Sequence, residues 1–200
     1  MQERLLVRPG LAAEGAGWLE RRGVAAGIGV AAFASMMVLG AHVRIALPWT
    51  PVPFTLQTMF LHLAGATLGP ALGAASQALY LGLGAAGLSV FAGGHGGLAW
   101  MWSSATTGYL VGFLGAPLVT GRLVRRRPAP GLGWILLSMA CGSLVVYACG
   151  TAWLAWSLRL HLAQALLQGV APFLLGDLIK TGAAAALYRG YRRRAGSLFP

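Results

Sequence analysis

The chain has 200 residues, of which 57% are hydrophobic and 10% charged, with a formal net charge of +11 and a mean hydropathy of +0.70. So little charge excludes an ordinary soluble domain, in which about a quarter of residues are charged, and implies a chain that crosses a membrane several times. The positive charge does not mark a nucleic-acid binder, which clusters Lys and Arg on one solvated face; here they punctuate apolar runs at Arg4, Arg8, Arg21 and Arg22, at Arg122 and Arg125 to Arg127, and at Arg189 and Arg192 to Arg194.

In chain order, the charged stretch 1–22 reads as a retained cytoplasmic segment, because its charges persist to Arg22 and the apolar run behind it is long enough to span. The first span is expected over 23–43. It carries Gly23, Gly27, Ala31 and Ser35 at four-residue intervals, a stripe that lets a second helix approach closely, either within this bundle or on another membrane subunit. Residues 47–54 follow, where Pro48, Pro51 and Pro53 forbid regular helix and favour stiff extended backbone. Thr50, Pro51 and Pro53 thereby belong to an external lid or rim.

The second span, 55–68, rises only about 21 Å against a hydrocarbon core of about 30 Å, so it must be tilted, extended or buried in protein. The third is expected over 71–87. Gln57, Gln77 and Tyr80 on these two segments either line a polar cavity or make ordinary interhelical hydrogen bonds. The run Phe91-Ala-Gly-Gly-His-Gly-Gly97 either lets backbone approach a ligand or simply turns. No Gly-Lys-Ser/Thr follows it and no strand precedes it, so it is neither a P-loop nor a dinucleotide fingerprint.

The fourth span is expected over 101–121 and the fifth over 132–152. Cys141 and Cys149 on the fifth lie about 12 Å apart along the axis, too far for a disulfide. The sixth span covers 168–188, and a basic tail, 189–200, closes the chain. Six crossings from a cytoplasmic N-terminus put both termini and all three arginine clusters inside, with Arg44 and Arg159 outside, which is the positive-inside pattern.

The sixth span holds the only aspartate and the only lysine of the chain, Asp177 and Lys180. Three residues apart, they share a helix face. A charge at the bilayer centre costs roughly 2.5–3.5 kcal/mol even on the lenient insertion scale, so the pair needs a purpose: an ion pair, a ligand site or a proton path. The proton path lacks a second intramembrane carboxylate. His42, His62, His95 and His161 are scattered without metal-ligand spacing, and neither a carboxylate pair nor a nucleophile elbow can be assembled, so the chain reads as neither a metal protein nor an enzyme. No internal repeat supports an inverted-repeat carrier.

Four segments, 50–58 (TPVPFTLQT), 79–94 (LYLGLGAAGLSVFAGG), 107–113 (TGYLVGF) and 172–180 (PFLLGDLIK), occur in the order and wording of the BioY family, and the resemblance runs from about residue 25 to 188. That family is the biotin-binding S component of energy-coupling factor (ECF) transporters. His95, Thr107 and Leu175 depart from the family pattern without removing an ionisable site residue.

The resemblance implies an all-α membrane protein, a six-transmembrane-helix bundle of the ECF S-component type in the prokaryotic cytoplasmic membrane. Residues 23–188 would be the biotin-binding domain, working with a transmembrane coupling subunit and two cytoplasmic ATPases and without a cofactor of its own. It implies Asp177, Lys180, Gln57, Gln77, Tyr80, Phe91, Gly93, Gly94 and Tyr109 as substrate-binding residues, and Gly27, Ala31 and Ser35 as the docking face for the coupling subunit. Asp177 is suited to accept the ureido N–H bonds of biotin, and Lys180 to donate to the ureido oxygen or attract the carboxylate. An S component for another vitamin, or a proton-coupled channel or carrier using Asp177, are the alternatives.

Overall fold

The computed structural model describes the backbone of residues 9–198 and the side chains of residues 22–192. Residues 1–21 of the expected N-terminal segment 1–22, and Arg193 and Arg194 of the tail 189–200, lie outside the described side chains. The helices are α1 Pro9–His42, α2 Gln57–Leu68, α3 Pro70–Ala85, α4 Leu98–Ser103, α5 Thr107–Arg125, α6 Leu132–Ser157, α7 Leu162–Gly169 and α8 Leu174–Leu198, with a 3-10 turn, Ala171–Phe173, leading into α8. Two short strands, β1 Arg44–Ile45 and β2 Phe54–Thr55, pair antiparallel and close the proline-rich loop into a hairpin.

Among the described residues four stretches are long and apolar enough to cross a membrane: Arg22–His42, Thr107–Arg125, Leu132–Ser157 and Leu162–Arg192. In the first, third and fourth of these only 28%, 28% and 22% of the apolar window is buried, so their leucine-rich faces point outward, a surface suited to lipid and not to water. The short second segment is accommodated differently. At twelve residues α2 rises about 18 Å, and from Leu61 to Leu68 every side chain is buried, because α1, α3, α5 and α8 surround it.

Two stretches expected as single spans are broken. The stretch 101–121 is not one helix: α4 ends at Ser103, Ser104 is extended, and its hydroxyl accepts the Thr106 N–H at 3.2 Å, a local bond that competes with helix continuation before α5 begins. The stretch 168–188 does not begin as one helix either. Pro172 brings no N–H donor, so the chain passes from α7 through a 3-10 turn before α8 starts at Leu174.

The tightest pairing is between α5 and α6. A Cβ at Gly112 would sit 2.8 Å from the Cα of Val146, so the two backbones touch there. At the end where α2, α5 and α8 finish, arginines satisfy one helix-terminal and one loop carbonyl: Arg125 Nη2 donates to that of Leu68, the last residue of α2, at 3.0 Å and Arg192 Nη1 to that of Pro130, in the α5–α6 loop, at 2.8 Å. Arg127 lies 4.1 Å over the Trp134 ring. The arginines of the described chain thus gather at the end away from the β1–β2 hairpin, Arg44 and Arg159 excepted.

Candidate functional site

The first turns of α8 project Asp177 and Lys180 into the bundle below the β1–β2 hairpin, each only 7% exposed. They form the ion pair their spacing predicts. Buried charges persist only when fully partnered, and here both are. Thr58 of α2 donates to Asp177 Oδ1 at 3.1 Å and Tyr147 of α6 donates to Oδ2. Lys180 Nζ donates to the Thr55 carbonyl at 2.8 Å and stands 3.9 Å over the Phe54 ring.

A cavity opens directly above the pair. Thr55, Gln57, Thr58, Thr106 and Tyr109 supply its polar wall, while Phe91, Trp100, Phe113, Val146 and Phe173 supply the apolar one. The aromatic side is rigidly built. Phe91 packs edge-on to Tyr80 at 5.6 Å and face-on to Trp100 at 5.3 Å, and Phe54 stacks on Phe173 at 6.4 Å. Gly176 makes room for Phe54, whose Cε2 would lie 2.2 Å from a Cβ at that position. The chemistry offered is an acceptor and a cation side by side at the floor of an apolar box, which suits a ligand with a compact polar head and an apolar body.

Of the residues named from the sequence, Asp177, Lys180, Gln57, Phe91, Tyr109 and Pro53 line this cavity. Gln77, Tyr80, Gly93 and Gly94 do not. Tyr80 stands behind the wall, where its hydroxyl accepts from Gln57 Nε2 at 2.8 Å and donates to the Val90 carbonyl at 3.3 Å. Gln77 is fully buried on α3, with Nε2 donating to Ser76 Oγ at 3.0 Å and Oε1 unpartnered. Gly93 and Gly94 form the loop tip with φ of 93° and 74°, and this turn aims Phe91 and Ala92 inward instead. Thr50 and Pro51 line an adjoining vestibule with Arg44 and His95; Pro53, Ala92, Trp100 and Thr106 are common to both spaces.

Thr58 and Tyr147 are site residues that the sequence reading missed. Thr58 was visible as part of the Thr50–Thr58 motif, but nothing in one sequence says that α2 and α8 meet. Tyr147 gave a fainter signal, a hydroxyl inside the apolar run of α6. It also lines, with Asp177, a broad apolar groove between α6 and α8, so their hydrogen bond forms part of the partition between cavity and groove.

The α1 stripe is left unused by the rest of the described chain. Gly23, Gly27, Ala31 and Ser35 are all exposed, a Cβ on Gly23 or Gly27 would meet nothing within 4 Å, and Ser35 donates only to the carbonyl of Ala31 at 3.0 Å. Among the described residues no group of three His, Cys, Asp or Glu side chains comes together as a metal site.

The family model of BioY matches residues 18–197. The chain belongs to the BioY family. It is 38% identical over 167 residues to the biotin transporter BioY of Rhizobium etli, covering 80% of this chain and 88% of that protein. It is 37% identical over 155 residues to the biotin transporter BioY of Thermotoga maritima, covering 78% and 88%, and 36% identical over 159 residues to the probable biotin transporter BioY of Pyrococcus horikoshii, covering 79% and 90%. Among solved structures, this BioY-family chain superposes with a TM-score of 0.82 on the S-component for biotin from an ECF-type ABC transporter, at 25% identity over 89% of this chain and 97% of that one. Its fold is that of an ECF S component, and these relatives are named as transporters and not as enzymes.

Proposed function

We propose that this BioY-family chain captures biotin for uptake, as the S component of an ECF transporter in the prokaryotic cytoplasmic membrane. The observation that carries this reading is the meeting of Asp177 and Lys180 at the floor of an aromatic-walled cavity. The ureido group of biotin presents N–H donors and a carbonyl acceptor together; Asp177 accepts the former and Lys180 donates to the latter. Lys180 then exchanges the Thr55 carbonyl for the ligand, so that no buried charge is left unpaired. The apolar sulfur ring lies against Phe91, Phe113 and Phe173, and the carboxylate tail points to the vestibule that holds Arg44.

In this reading α1, α2, α3, α5, α6 and α8 are six passes forming the membrane domain 23–188. Segments 1–22 and 189–200 are cytoplasmic, which the gathering of arginines at one end supports. Biotin enters from outside beneath the hairpin loop with Thr50, Pro51 and Pro53 and the glycine loop with Gly93 and Gly94, which close over it. The stripe Gly27, Ala31 and Ser35 docks on a transmembrane coupling subunit, and two ATPases bound to that subunit drive the movement that turns the site toward the cytoplasm. Biotin is cargo, and no cofactor enters the scheme. Titration of purified protein with biotin tests the site: Asp177→Asn and Lys180→Met are each expected to weaken binding roughly hundredfold, about 3 kcal/mol, since each removes a charge-assisted bond and orphans its partner. Parent-like affinity in both variants would sink the proposal.

A further inference from the structure

His62 is completely buried on α2, outside the cavity lining, and the biotin-binding scheme above gives it no role. Its ring bridges two other helices, with Nδ1 3.3 Å from Thr120 Oγ1 on α5 and Nε2 2.8 Å from Ser143 Oγ on α6. His62 lies four residues beyond Thr58 on α2, and Ser143 four residues before Tyr147 on α6, so the His62–Ser143 contact sits one helical turn, about 6 Å, below the Thr58–Asp177–Tyr147 contact. The two levels form a ladder. The upper rung spans α2 and α6 through the Asp177 carboxylate; the lower spans the same helices through the imidazole.

The backbones do not set this spacing by themselves. Helix α2 packs against α5 and α8 and meets α6 at few points, whereas α6 packs closely on α5. A side chain that ties α2 to α6 at fixed length therefore governs whether Thr58 and Tyr147 reach opposite oxygens of Asp177 at once. We propose that His62 is a positioning residue that acts through Ser143 to hold α2 and α6 at the separation where the Asp177 carboxylate is clamped from both sides, and so sets its orientation toward ligand. The assignment of Asp177 as a biotin contact rests on the function proposed above; the clamp itself does not.

Because Asp177 is the only aspartate, carboxyl-13C aspartate labelling of the purified full chain gives a single side-chain resonance, a readout independent of biotin. Asparagine at position 62 reaches about as far as Nδ1 and keeps the Thr120 side, while glutamine reaches about as far as Nε2 and keeps the Ser143 side. We expect His62→Asn and Ser143→Ala to shift the Asp177 resonance in the direction that Tyr147→Phe does, and His62→Gln to leave it in place. Biotin affinity should fall about tenfold in the first three and stay parent-like in His62→Gln, and His62→Asn should add nothing in a Tyr147→Phe background. An unmoved resonance in folded His62→Asn and Ser143→Ala, equal shifts in the Asn and Gln variants, or additive losses of affinity would overturn the positioning role. Should the parent bind no biotin, the functional reading falls, and the resonance comparison alone decides the clamp.

Discussion

The Asp177 carboxylate meets Lys180, Thr58 and Tyr147 inside the bundle, from α8 itself, α2 and α6 respectively. A buried ion pair stripped of such bonds costs more than it returns, so the site is shaped by its neutral neighbours as much as by its charges. Gly176 is one of them, because only the absent side chain lets the Phe54 ring reach its place beneath Lys180 and against Phe173. Gly176→Val is expected to push Phe54 off this seat and weaken biotin binding by about tenfold, or about 1.4 kcal/mol. Isothermal titration checks this, and an unchanged dissociation constant would show that the ring position does not matter to the ligand.

Helices α5 and α6 form the most extensive pair, and their closeness comes from glycine at the contact. Gly112→Leu places a branched side chain against the Val146 backbone and should destabilise the bundle by about 1–3 kcal/mol, the usual cost of overpacking. A lowered melting temperature in detergent, measured without ligand, is the expected result. The outer face of α1 makes the opposite demand. Its small residues pack on nothing in the described chain, so Ala31→Trp should leave biotin affinity unchanged while reducing copurification of the proposed coupling subunit and ATPases. Normal recovery of the complex would remove α1 as the docking face.

Across the whole molecule, the cavity sits at one end, under the hairpin and glycine loops, and most of the described arginines at the other, where Arg125 and Arg192 hold the carbonyls of Leu68 and Pro130. The two loops meet across the vestibule, with Thr50 and Pro51 from one and His95 from the other. A crosslink between cysteines placed at Thr50 and His95 should slow release of bound biotin, with release restored by reductant. Unchanged exchange of labelled biotin in the crosslinked protein would reject the lid.

Hydropathy and the placement of arginine determined the membrane class and most helices, because apolar length and interrupted charge are properties of the chain alone. The same holds for the Asp177–Lys180 pair, since three residues on a helix fix a common face before any packing is known. The ends of α5 and α8 were legible less well: at Ser104 a side-chain bond, and at Pro172 the missing N–H, broke helices that the apolar pattern runs straight through. What only the tertiary structure decided is which polar groups share the cavity. Gln57 and Gln77 look alike in sequence, yet packing turns one toward the ligand space and the other into the interior. Thr58, Tyr147 and His62 gained their roles only when α2, α6 and α8 came together, because those contacts join residues 58 and 177, 147 and 177, and 62 and 143, and no local periodicity encodes such distant pairings.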